Sequence, residues 1–283
     1  MRITITGASG LIGSRLTKAL EQRGDEVTPL SLRRDTDLGA KLAGRDAVVH
    51  LAGENVAQRW SDDAKRRIRE SREQGTRRLV EAIEQAEPRP TALISASAVG
   101  YYGPHGDERL DEDTPPGDDF LADVCVVWER EAQNAEALGL RVVRVRTGVL
   151  LDRQSGALAK MLLPFKCGVG GPVAGGRQYM AWIHIDDVIG IYLAAIDGDD
   201  WSGPVNATAP EPVTNTEFSK ALGGALHRPA VAPIPGLAVR LLYGGMAEIV
   251  TEGQRAVPRR TRELGYEFRH LELDEALRTA IAR

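Results

Sequence analysis

The run TGASGLIG at positions 6–13 lies between an apolar stretch, RITIT, and a helical stripe, LIGSRLTKALEQRG. Gly7, Gly10 and Gly13 form a GxxGxxG turn from strand to helix. That spacing suits a tight turn, close approach of a pyrophosphate to amide N–H groups at a helix N-terminus, and close packing of helix on strand. Glycines also serve turns for conformational reasons alone. The strand before and the helix after are what make the pattern a dinucleotide-site expectation.

The segments that follow fit the same scheme. EVTPLSL, AVVHLA, TALISAS and RVVRVR read as further strands, with helical periodicity between them, the pattern of βαβ units and a parallel sheet. SDDAKRRIRESREQGTRRLVEAIEQAE reads as one long helix capped by Ser61, with Ile68, Leu79, Val80 and Ile83 facing the sheet. Beyond residue 150 glycines cluster in CGVGGPVAGG, WIHIDDVIGIYLAAI returns to strand then helix, and GPVNAT reads as a last strand. From about 208 prolines punctuate three or four short helical segments. The expected fold is α/β: a Rossmann-type, doubly wound parallel sheet with a smaller C-terminal substrate lobe. Residues 1–207 form the nucleotide-binding domain, with 152–181 contributing to the lobe, and 208–283 form the small, mainly helical lobe.

Composition removes several function classes. A net charge of −4 and a pI near 5.8 give no general attraction to nucleic-acid phosphates. No apolar run approaches the ~18 residues of a membrane span, and a strand beginning at residue 2 leaves no room for a leader. Cys125 and Cys167 lie in apolar contexts without a CxxC or a paired histidine, so no metal site is expected and the compartment is a reducing, cytoplasmic one.

The end of the second strand selects the cofactor. An acidic residue there would hold a ribose diol, whereas a basic one would hold a 2′-phosphate. Arg33 and Arg34 occupy the place and Asp35 comes only after them. A guanidinium fork suits a phosphate dianion, so NADP (NADPH) is expected over NAD.

With those residues in hand, the chain resembles the extended short-chain dehydrogenase/reductases of the NAD(P)-dependent epimerase/dehydratase superfamily. TGASGLIG, HLAG, ISASAVGYYG and WIHIDDV follow that family's motif order. LAGENV, GYYGPHG, MLLPF and EGQRAVPRRTRELGYEF resemble its atypical, YfcH-like "epimerase family protein" branch, which ends in a domain of unknown function. The resemblance implies that Gly7, Gly10, Leu11, Ile12 and Gly13 line the pyrophosphate. It implies Ser31 and Arg33 at the 2′-phosphate, Leu51, Ala52 and Gly53 beside the adenosine ribose, and Arg72 and Leu150 as further cofactor contacts. It implies a small-molecule substrate and, by analogy, a homodimer.

Family members that move hydride carry YxxxK on the helix after the fourth strand, where the lysine brings the phenol toward neutrality. Here those places fall at Leu121 and Cys125. Cys125 is read as a small buried residue. Ser97 matches the family's substrate-orienting serine, and Tyr101 either replaces the missing phenol or packs its loop with Tyr102. His184, on a strand before a helix capped by Asp186, is a second titratable candidate, and His50 beside the cofactor edge is read as structural. Glu54, Asn55, Arg177, Trp182 and His184 are the expected substrate contacts. Two functions follow: an NADP-dependent oxidoreductase or epimerase acting on a small polar carbonyl, alcohol or nucleotide sugar, or a non-catalytic NADP-binding sensor.

Overall fold

The computed structural model describes residues 1–282. β1 (Arg2–Thr6) leads through the glycine loop into α1 (Leu11–Gln22), then β2 (Glu26–Leu30), a short α2 (Leu38–Leu42) and β3 (Ala47–His50). α3 (Asp62–Glu84) and β4 (Ala92–Ala98) follow, then a short β5 (Arg109–Leu110), α4 (Phe120–Gln133) and β6 (Arg141–Thr147). Next come β7 (Val149–Leu151), α5 (Gly156–Lys166), β8 (Tyr179–Met180), β9 (Trp182–His184), α6 (Ile185–Asp197) and β10 (Gly203–Ala207).

Six of these strands form one parallel sheet in the order β10-β6-β4-β3-β1-β2. The order reverses between β1 and β3, which makes the sheet doubly wound and opens a crevice at the carboxyl ends of those two strands. Leu16 and Leu20 of α1 and Val188, Ile191 and Tyr192 of α6 cover one face. Leu42 of α2, Leu79, Val80 and Ile83 of α3 and Ala132 of α4 cover the other. Ile68, expected on the sheet, packs instead with Trp60, Val124 and Met246. It lies about three turns nearer the helix start than Leu79, away from the α3 residues that cover the sheet. Ser61 caps α3 as its sequence predicts, accepting the Ala64 N–H at 3.2 Å.

The remainder supplies β11 (Val213–Thr214), α7 (Asn215–Ala225), α8 (Gly236–Tyr243), α9 (Glu248–Thr251), β12 (Arg255–Ala256), α10 (Arg259–Glu263) and α11 (Leu273–Ala282). That is five helices among the described residues rather than three or four, because α9 and α10 are single turns too brief to show a period. A second apolar core joins Leu158, Leu162 and Phe165 of α5, Trp182 of β9, Phe218 and Leu222 of α7, and Ala276, Leu277 and Ala280 of α11. Each segment alone is too short to bury its own apolar face. Among the described residues, no helix is long and apolar enough to cross a membrane.

Candidate functional site

The glycine loop is shaped by three different demands. Gly7 sits at φ +70°, and a Cβ there would meet the backbone of Leu51 and Ala52 at 2.8 Å. Gly13, in the first turn of α1, presses on the same loop: its Cβ would lie 2.3 Å from the Gly7 carbonyl oxygen. Gly10 closes the turn, donating its N–H to Gly7 O at 3.0 Å, and caps α1 without a side chain. The amides of Leu11, Ile12 and Gly13 therefore begin a helix whose first N–H groups have no intrahelical acceptor. No acidic side chain occupies that first turn, so its partial positive charge is available to an anion. The loop fits a pyrophosphate through its backbone.

A cavity of about 990 Å³ opens beside it at the crevice between β1 and β3. Gly7, Gly10, Ser31, Arg33, Leu51, Ala52, Gly53 and Glu54 all line it. Leu11, Ile12, Gly13, Arg72 and Leu150 lie outside its lining. Ile12 and Leu150 turn their side chains into the sheet core. Arg72 folds inward rather than facing solvent: it donates to Glu54 O at 3.1 Å and Ile68 O at 3.2 Å and lies over the Trp128 ring. It props the Gly53–Glu54 backbone from beneath.

The tip of β2 carries the charge pattern that selects a nucleotide. Arg33 is exposed and reaches Glu54 at 3.5 Å across the mouth, and Arg34 leans on Ser31 Oγ at 3.4 Å. Asp35 is turned inward: it accepts from Lys41 Nζ at 2.8 Å and from the Ser31 N–H at 2.6 Å. Lys41 first, then that amide, hold its carboxyl below the usual aspartate range. It is spent on the turn.

One wall of the cavity is absent from the sequence reading. Arg67, Glu70, Ser71, Gln74, Gly75 and Arg78 of α3 line it, a stripe at helical spacing opposite Leu79 and Ile83. Gly75 was the readable signal, because a mid-helix glycine costs ~1 kcal/mol against alanine and a Cβ there would meet open space.

His50 fixes the loop from behind. It is fully buried, with Nδ1 2.6 Å from Thr6 Oγ1 and Nε2 3.0 Å from Thr76 Oγ1. Thr6 Oγ1 accepts the N–H groups of Leu51 and Ala52, so its own proton goes to Nδ1 and the imidazole proton on Nε2 faces Thr76. Burial, with the Arg72 charge second, pushes the imidazole down to about 4. The folded histidine stays neutral while the unfolded one takes up a proton below about 6.5. Stability from this group is therefore complete above pH 6.5 and falls by about 3 kcal/mol as pH drops from 6.5 to 4. Urea midpoints of the wild type and His50→Gln across that range should differ in slope by this amount; parallel pH profiles would contradict it.

On the other side of the sheet edge, Ser97 is buried and donates to Glu129 Oε1 at 2.6 Å. Glu129, also buried, takes both arms of Arg146 at 2.8 and 2.9 Å. Arg146 donates to Tyr102 Oη at 3.0 Å and stacks on the half-buried Tyr101 ring, its Cζ 3.5 Å from the centroid. Tyr102 Oη donates to Asn206 at 2.7 Å. Leu121 lies against Gly100. Cys125 is buried, and burial first, then the Glu129 charge, pushes its thiol up to about 12, so it is held as an inert thiol.

The expected substrate contacts do not converge. Glu54 is at the cavity mouth, Asn55 accepts the Ala57 N–H in an exposed turn, and Arg177 is exposed. Trp182 is buried in the second core and donates to Glu211 O at 3.0 Å. His184 is fully buried and is itself the cap of α6, its Nδ1 accepting the Asp186 N–H at 3.2 Å, where Asp186 had been expected to cap.

Comparison with known proteins agrees with this geometry. The profile of the NAD dependent epimerase/dehydratase family matches residues 3–206, most of the chain. The chain belongs to that family. In this epimerase/dehydratase member a later segment, residues 234–280, matches a domain of unknown function, DUF1731. The family member is 37% identical over 299 residues to the Epimerase family protein SDR39U1 homolog, chloroplastic, of Arabidopsis thaliana, covering 98% of this chain and 86% of that one. It is 38% identical to the Homo sapiens Epimerase family protein SDR39U1 over the whole of both chains. The crystal structure of human SDR39U1 (isoform 2) with NADPH superposes with a TM-score of 0.92 at 37% identity, covering 100% of this chain and 99% of that one.

Proposed function

We propose that this chain binds NADPH, its pyrophosphate on the amides that open α1 and its 2′-phosphate between Arg33 and Arg34. The carrying observation is the tip of β2: two arginines line the mouth while the carboxylate beside them is consumed by Ser31 and Lys41. The human relative crystallised with NADPH supports the same reading. A charge-assisted hydrogen bond lost from the phosphate costs ~1.5–3 kcal/mol, so Arg33→Ala should weaken NADPH binding about 10- to 100-fold and leave NADH nearly unchanged. Calorimetric titration with both nucleotides checks it. Equal affinity of the wild type for NADH and NADPH would end the reading.

We propose further that the bound nicotinamide supplies hydride chemistry to a small polar carbonyl, alcohol or nucleotide-sugar substrate, making the chain an oxidoreductase or epimerase. In this reading Tyr101, held face-on by Arg146, handles the substrate proton, and Glu54 at the cavity mouth with the exposed Asn55 and Arg177 are the polar side chains offered to a substrate. Ser97 acts through Glu129 as a positioning residue. The second reading, a non-catalytic NADPH sensor, is favoured by Leu121 and Cys125 at the acid/base places and by a Ser97 hydroxyl already engaged. NADPH oxidation measured over a panel of carbonyls and nucleotide sugars separates them: turnover abolished by Tyr101→Phe supports the enzyme, and an inert panel with tight NADPH binding supports the sensor.

A further inference from the structure

Away from the nucleotide cavity, three side chains meet where α6 begins. His184 Nδ1 and His270 Nε2 lie 3.6 and 3.5 Å from one oxygen, Asp186 Oδ2, and the three ligating atoms all fall within 4.8 Å of one another. We propose that His184, Asp186 and His270 form a binding site for a divalent transition-metal ion of the zinc class. Bonds of about 2.0–2.2 Å in tetrahedral array put neighbouring ligand atoms roughly 3.3–3.5 Å apart, close to the spacing already present. Two imidazoles and one carboxylate suit zinc and its neighbours rather than magnesium or calcium.

The ligands are oriented in advance. The Asp186 amide donates to His184 Nδ1, which leaves the imidazole proton on Nε2; an ion at Nδ1 would take that lone pair over from the amide. His270 Nδ1 lies 2.8 Å from Glu275 Oε2, the carboxylate–imidazole pairing that fixes tautomer and raises basicity in a ligating histidine, so Nε2 is the atom facing Asp186. The His270 backbone is pinned as well: Asp187 accepts the N–H groups of Arg269 at 2.8 Å and His270 at 3.1 Å and the Tyr266 hydroxyl at 3.1 Å. His184 is fully buried and Asp186 is partly open, which leaves one side for a water or a further ligand. The two ring centroids lie 3.7 Å apart with their planes tilted by 41°; seating an ion between their nitrogens and the carboxylate would spread them.

Such an ion would link the start of α6, within the epimerase/dehydratase match, to the segment matching the domain of unknown function. Its occupancy would raise the unfolding temperature in proportion to the logarithm of ion concentration. The proposal stands independently of the nucleotide reading. The test uses the full chain, treated with chelator and titrated with Co(II) and then Zn(II). The expected result is one Co(II) per chain with the visible absorption of tetrahedral coordination, displaced by Zn(II). Asp186→Asn and His270→Ala should each abolish it, and Glu275→Gln, which keeps all three ligands, should weaken it about 10- to 100-fold. Circular dichroism of each variant in chelator establishes that it folds. No Co(II) uptake by the wild type, uptake unchanged in Glu275→Gln and His270→Ala, or uptake lost only in Cys167→Ser would each overturn the assignment.

Discussion

Gly7→Ala is expected to weaken NADPH binding by about 100-fold or more and to lower stability together. Two penalties coincide at this position. The left-handed backbone at φ +70° costs a residue with a Cβ ~1–2 kcal/mol. The new methyl also meets main-chain atoms of Leu51 and Ala52 at 2.8 Å, where no flexible side chain can give way, and overpacking of this kind adds ~1–3 kcal/mol. Relief comes only by moving the loop off the end of β3, which displaces the amides of α1 from the phosphate. A loss of ~3 kcal/mol in binding is about a 100-fold change in Kd. Gly24→Ala, also at positive φ but with open space around its Cβ, is the control: it should cost stability alone. Titration calorimetry with urea denaturation on both variants reads the two effects separately. An unchanged Kd in Gly7→Ala would show that the loop is not the grip.

The second large effect is expected at Arg146. Replacing it with alanine strips the buried Glu129 of both guanidinium arms, leaving Ser97 Oγ and the more distant Arg144 at 3.7 Å. A buried carboxylate deprived of its cation costs ~3–5 kcal/mol. The same change removes the cation from the Tyr101 face and one donor from Tyr102, so the loop at 99–103 should loosen as well. Removing both charges with Arg146→Met and Glu129→Leu should cost much less than the two single changes summed, since no charge is then stranded. Urea midpoints across the four proteins measure the coupling. An Arg146→Ala cost below about 1 kcal/mol would mean that the pair is solvated rather than sealed.

Much of the sheet was legible because its signals are local. RITIT, AVVH, ALISASA and RVVRVRT are short segments rich in apolar and β-branched residues, and the glycine loop advertises its own conformation. What escaped depends on contacts between distant segments. Ser97 reads as a cleft residue from its place at the end of β4, but its partner Glu129 is 32 residues on, and only packing of α4 on that strand brings them together. Trp182 reads as a cleft residue because it begins WIHIDD. Among the described residues β9 pairs with β7 alone, and both its faces are covered, Ile183 by the sheet core and Trp182 by the second core. The cap of α6 moved from Asp186 to His184 because a buried imidazole with a lone pair aimed along the helix axis competes with a carboxylate that lies partly open. His270 had no local signal at all, since Asp186 is reached only through the fold of the last helices.

The second core has a consequence for how the chain is made. Its contributors come from α5, β9, α7 and α11, so its contacts span well over a hundred residues and cannot close until α11 has left the ribosome. The parallel sheet needs nothing beyond β10 and can form first. In the interval Leu158, Leu162, Phe165 and Phe218 lack the α11 part of their cover, and a nascent chain stalled before Leu273 would present them incompletely buried to chaperones or to one another. Synthesis past α11, rather than completion of the sheet, sets the moment at which the protein becomes safe from aggregation.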